Sequence, residues 1–108
     1  MGTPEVTFDF DTLDDDGYPS EEFQDFIISW PYQNGFKNLI DLVWVHWFYD
    51  YPYKNSYVEK GVWVYEFSTG GWSGNEDLIS ALQENYMFWA FCWYSSRRGG
   101  HHVFKVKV

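Results

Sequence analysis

A single cysteine, Cys92, means that no disulfide can form within the chain. No apolar run approaches the ~20 residues that a bilayer-spanning helix needs, and no basic-then-apolar leader opens the sequence. The expectation is a cytoplasmic protein without membrane contact. Cations are scarce: seven lysines and arginines face sixteen acids, for a formal net charge of −9. Broad binding to nucleic-acid phosphates needs clustered lysine and arginine, so direct nucleic-acid binding is not expected. Aliphatic residues are also few. Leucine, isoleucine and valine together number 18, against seven tryptophans, nine tyrosines and ten phenylalanines. Aromatic rings, each burying on the order of 150–250 Å², must therefore supply most of the core. Rings left outside in one patch would mark a binding surface or a subunit contact.

The 108 residues suit one domain, since two cores would each be too small to stand alone. Val6, Phe8 and Phe10 alternate with polar residues as in a half-buried strand. Ser20 followed by Glu21 and Glu22 is a helix start, with Phe23, Phe26, Ile27 and Trp30 on one face until Pro31 ends it. Leu39, Ile40, Val43 and Trp47 repeat at helical spacing, and Tyr49 to Lys60 reads as loop. Val62 to Phe67 suits a strand, and Asn75 a cap for a helix burying Leu78, Ile79 and Leu82, with Asn85 near its end. Tyr86 to Tyr94 is apolar on both alternating faces, the pattern of a central strand. Arg97 to Gly100 is a hairpin turn, followed by a one-sided strand through Phe104, Val106 and Val108. These elements predict an α+β domain of order β-α-α-β-α-β-β, with a mixed or antiparallel sheet and a C-terminal hairpin packed on helices.

Two glycine motifs are the candidate site. In the first, Thr69, Gly70, Gly71, Trp72, Ser73, Asn75 and Glu76 link a strand to a helix, where backbone amides could cradle an anion. It lacks the lysine of a P-loop, and Glu76 and Asp77 already complement the helix dipole; a plain turn with Trp72 plugging the core explains the same residues. In the second, Arg97, Arg98 and His101 on one turn suit a phosphate or carboxylate, although a solvated hairpin explains them too. His101 and His102 point to opposite faces of a strand, and no acid or cysteine is close in sequence, so no metal site is expected. His46, in an apolar segment, reads as a core histidine. The acidic run Asp9 to Gly17 misses both anchoring positions of a calcium loop, with Thr12 first and Phe23 twelfth. Cys92 reads as buried and no serine occupies a nucleophile elbow, so catalysis is not the leading expectation.

Ser68-Thr69-Gly70-Gly71-Trp72-Ser73-Gly74-Asn75-Glu76, Leu78-Ile79, Ala81-Leu82, Trp93 and Ser96-Arg97-Arg98-Gly99-Gly100-His101, with Asp16-Gly17-Tyr18-Pro19 and Glu21-Glu22 upstream, resemble a group of small uncharacterised proteins encoded by bacteriophages and prophages. The resemblance implies a phage gene product acting in a bacterial host, and it implies no activity. The expected function is a non-catalytic binding protein, without cofactor. Its site would form where Thr69–Glu76 and Arg97–His102 converge, for a nucleotide-like or anionic ligand or a host protein. That convergence is expected if the Val62 and Tyr86 strands are parallel neighbours. The alternatives are an acidic inhibitor mimicking nucleic acid, motivated by nine acids before Lys37, and an enzyme of unknown class. A homodimer through an aromatic sheet face, to which Trp63, Tyr65 and Phe67 would contribute, is also expected.

Overall fold

Ser20 opens the first helix as the spacing predicts, its Oγ accepting from the Phe23 amide at 3.1 Å while donating to the Asp11 carbonyl at 2.6 Å. In the computed structural model, which describes residues 8–107, this helix is α1 (Glu21–Ile28), burying Phe23 and Ile27. A short 3-10 turn (Tyr32–Asn34) and Gly35, at φ +85°, lead into α2 (Phe36–His46), whose Leu39, Ile40, Leu42 and Val43 are buried. The hairpin β1 (Lys54–Glu59) and β2 (Val62–Ser68) follows, then α3 (Ser73–Glu84), α4 (Tyr86–Cys92), and the hairpin β3 (Trp93–Arg97) and β4 (His101–Lys107). The α+β class and the C-terminal hairpin are as expected. The element order is not: two helices precede the first hairpin and two more precede the second.

Three differences have physical causes. The expected strand around Val6 begins outside the described residues, and Phe8 and Phe10 form no ladder; their rings pack on Phe26. Within the segment read as loop, Lys60 (φ 54°) and Gly61 (φ 77°) form a two-residue turn with the geometry that suits a tight hairpin, which pairs Glu59 with Val62. β1 is a polar edge strand, so it lacks the apolar alternation by which strands are found. Finally, Tyr86–Cys92 is helix rather than strand. The Asn85 side chain accepts from the Phe88 amide at 3.2 Å and donates to the carbonyls of Ile27 and Trp30, both at 3.0 Å, so it caps α4 and ties it to the end of α1. Phe88 and Cys92, four residues apart, are buried while Tyr86, Met87 and Phe91 are exposed. A run that is apolar at every position conceals this 3.6-residue period.

The four strands form one antiparallel sheet in the order β1-β2-β4-β3. Tyr65 pairs with Phe104 and Trp63 with Val106 in the β2–β4 ladder, and this face meets the helices in a core that includes Phe23, Leu39, Leu78 and Phe88. Trp63, Tyr65 and Phe67 thus point at the helices, with Tyr65 and Phe67 buried, and they build no open aromatic sheet face. The opposite face presents Glu66 and Ser68 from β2 beside Val103 and His101 from β4. Among the described residues, no helix is long and apolar enough to cross a membrane.

Candidate functional site

The two glycine motifs meet, by a different route from the one expected. β2 is not a neighbour of β3; it pairs antiparallel with β4, so the end of β2 lies beside the start of β4 and Ser68 is opposite His101. One residue further, the Thr69 amide donates to the Gly100 carbonyl at 3.0 Å. A Cβ on Gly100 would lie 2.3 Å from Thr69 Oγ1, so glycine is what allows the chains to approach.

Within the first motif most groups are committed to the fold. Thr69 is buried, and its carbonyl accepts from the Trp72 amide at 3.1 Å and from Asn75 Nδ2 at 3.3 Å. Asn75 does not cap α3. The helix begins two residues earlier, at Ser73, and Asn75 is fully buried within its first turn, where Oδ1 accepts from the Phe48 amide at 3.0 Å. Trp72 neither plugs the core nor offers a free stacking face. It is half-buried between Tyr18, stacked at 5.3 Å, and Phe48 at 4.4 Å. Its indole also fills the space over Gly74, whose Cβ would sit 2.3 Å from the ring. Gly70 and Gly71, at φ +63° and +76°, make the turn and are exposed, as are Ser73 and Glu76.

The second motif is free where the first is not. Arg97 and Arg98 are exposed, and among the described residues neither has a carboxylate within 4.0 Å. No atom lies within 4 Å of a Cβ built on Gly99, so the turn is open to solvent. Neither Gly70 nor Gly99 donates its amide to a backbone carbonyl among the described residues. The turn therefore offers two guanidinium forks and the Gly99 amide, donors that suit a phosphate or carboxylate.

His101 sits between these cations and a polar row on the open sheet face. Its Nδ1 is 2.7 Å from Ser68 Oγ, and its Nε2, buried without a hydrogen-bond partner, is 3.8 Å from Glu66 Oε1. Glu66 Oε2 accepts from the Tyr57 hydroxyl at 3.0 Å, which raises the Tyr57 pKa. Hydroxyl, imidazole and carboxylate follow one another as in nucleophilic triads, but 3.8 Å is too long for the hydrogen bond that would orient the ring. Next in the strand, His102 Nδ1 is 2.7 Å from Ser96 Oγ; burial, and then the charge of His101, lower the His102 pKa. Ser68 and Glu66 were not among the expected site residues. Their shared face was legible from the alternation with Tyr65 and Phe67, whereas the β2–β4 register that brings His101 to them is non-local.

Elsewhere, burial pushes the Cys92 thiol up to about 12, so it is protonated at neutral pH. His46 is half-buried at the edge of the core rather than within it, its ring 4.5 Å from Phe23 and its Nδ1 3.0 Å from the Leu42 carbonyl. The described residues contain no group of three or more potential metal ligands. Asp11, Asp14, Asp15, Glu21 and Glu22 line one cleft of about 420 Å³. Comparison with protein families, curated proteins and solved structures gives no match, and the geometry of the site is what remains to carry a functional reading.

Proposed function

We propose that the protein is a non-catalytic binder of small anions, with the Arg97–Gly99 turn as the gripping element and the Ser68–Gly71 segment as its support. The observation that carries this reading is the pair of exposed arginines, with no carboxylate within 4.0 Å among the described residues, on the turn whose Gly100 carbonyl accepts from the Thr69 amide. In a chain with net charge −9, two adjacent cations with no carboxylate partner among the described residues are conspicuous. The ligand is recognised through its phosphate or carboxylate group. Trp72 is occupied on both sides, so a stacked base adds nothing to affinity. A titration of amide chemical shifts with inorganic phosphate and with a nucleoside monophosphate tests this. Both ligands should move the same signals, at Gly70 and at Arg97 to His101, with similar affinity; shifts confined to other regions would refute the reading.

A second reading, an acidic inhibitor of a host nucleic-acid-binding protein, draws on the five carboxylates around the Asp11–Glu22 cleft. It predicts a basic partner captured from bacterial lysate at low salt and released at high salt. Capture that is insensitive to salt would exclude it.

A further inference from the structure

Helix α4 has its polarity inverted on the solvent side. Residues 86–96 contain no charged side chain, yet the helix they begin is not enclosed. At 100° per residue, Tyr86, Met87, Ala90 and Phe91 fall on one face, opposite buried Phe88 and Cys92. That face points to solvent: Tyr86 is 81% exposed, Met87 46% and Phe91 70%. Trp93, 42% exposed and stacked on Trp89, extends the surface onto β3, whereas Tyr94 lies on the other face of the sheet beneath Lys105, whose Nζ is 3.7 Å from its ring centroid. At about 200 Å² per large side chain Tyr86, Met87, Phe91 and Trp93 leave roughly 480 Å² of mainly apolar surface in water. That is in the upper part of the ~300–600 Å² that the largest patch of a typical monomer reaches, and a standard interface buries about 800 Å² on each partner.

The same surface borders an unpaired strand. β3 is an edge of the sheet, so one row of its backbone donors and acceptors has no ladder partner. The other edge, β1, is guarded. Lys54 turns inward, its Nζ donating to the Trp44 carbonyl at 3.0 Å and lying 4.6 Å from the indole centroid, and Glu59 closes the strand. Inward-pointing charge is a known device against edge-to-edge pairing. β3 has no charge until its last residue, Arg97.

We infer that the occupant of this surface is a second copy of the chain, paired β3 to β3 in antiparallel fashion with the two α4 helices packed side by side. The contact is two-fold symmetric, and because α4 covers β3 and β4 on the core side, the two helices arrive on the same side of the joined sheet. A pairing centred on Ser95 sets Arg97 opposite Trp93 rather than opposite the Arg97 of the other copy. The apolar area of each copy supplies over half of what a standard interface buries, and strand pairing supplies the hydrogen bonds that the edge lacks.

Sedimentation equilibrium from micromolar to millimolar protein, at low and high salt, reads the result. The expected mass is twice 12.9 kDa, retained in high salt because the contact is apolar. Phe91→Lys combined with Tyr86→Lys alters only exposed positions and should weaken the dimer at least tenfold with unchanged circular dichroism, whereas Val58→Lys on β1 should leave it intact. A monomer at every concentration, a dimer indifferent to the α4 substitutions, or a dimer broken by Val58→Lys would each overturn the proposal. So would a monomer that cosediments with phosphatidylcholine vesicles, which would make a lipid surface the occupant.

Discussion

The two glycine motifs look alike in sequence and differ in what the fold asks of them. In Thr69–Glu76 the polar groups are turned inward: Thr69 and Asn75 are buried, and together they hold the start of α3 against the Phe48 amide and the β4 hairpin. In Arg97–Gly99 they are turned outward, with the cations unpaired among the described residues and space around the turn. The comparison teaches that a glycine-rich stretch feeding a helix is no more a site than a hairpin turn is; burial and pairing decide. Here the loop is scaffold, and the turn is the free element on which the proposed anion site rests.

The scaffold half predicts the largest effect. Asn75→Ala should cost about 2–3 kcal/mol in urea unfolding, because it removes a fully buried side chain that accepts from the Phe48 amide and donates to the carbonyl of buried Thr69. A loss below about 0.5 kcal/mol would mean that the loop is not holding the fold. A paired glycine test comes next. Gly100→Ala places a methyl group against buried Thr69 at φ +82° and should cost about 2–3 kcal/mol, whereas Gly99→Ala, at φ +92° in open space, should cost only about 1 kcal/mol for the backbone strain. Equal costs would show that the Thr69–Gly100 approach is not tight.

Much of this difference was beyond local sequence. Ser20, Gly35 and the spacing of Leu39, Ile40 and Val43 specify α1 and α2 through caps and period, and the structure follows them. Asn85 was visible as a helix end, but its part in starting α4 depends on the carbonyls of Ile27 and Trp30, some fifty residues away. The run Tyr86–Cys92 carries no contrast between its faces, so helix and strand read alike until packing chooses. The convergence of the two motifs was expected for the wrong reason. It arises from the antiparallel β2–β4 ladder, and only the register places Ser68 beside His101.

A smaller effect concerns pH. His102 has its pKa lowered by burial and then by His101, so the folded state resists protonating it while the unfolded chain binds a proton near pH 6.5. Its contribution is fully present above that pH and is lost as pH falls towards the depressed folded value. His102→Gln should flatten the decline of melting temperature below pH 6.5; an unchanged slope would place the sensitivity elsewhere. The smallest stability change is expected at the turn. Arg97→Ala with Arg98→Ala should stay within about 0.5 kcal/mol of the parent, since neither side chain has a carboxylate partner among the described residues.

That double variant also decides the function. Titrated with phosphate at constant ionic strength and followed by amide shifts, the parent protein should show saturable changes at Gly70 and Arg97 to His101. The arginine-less variant, equally stable, should show none at the same concentrations. Undiminished binding in the variant, or a parent in which phosphate moves no signal at the turn, would contradict the assignment of the Arg97–Gly99 turn as an anion site.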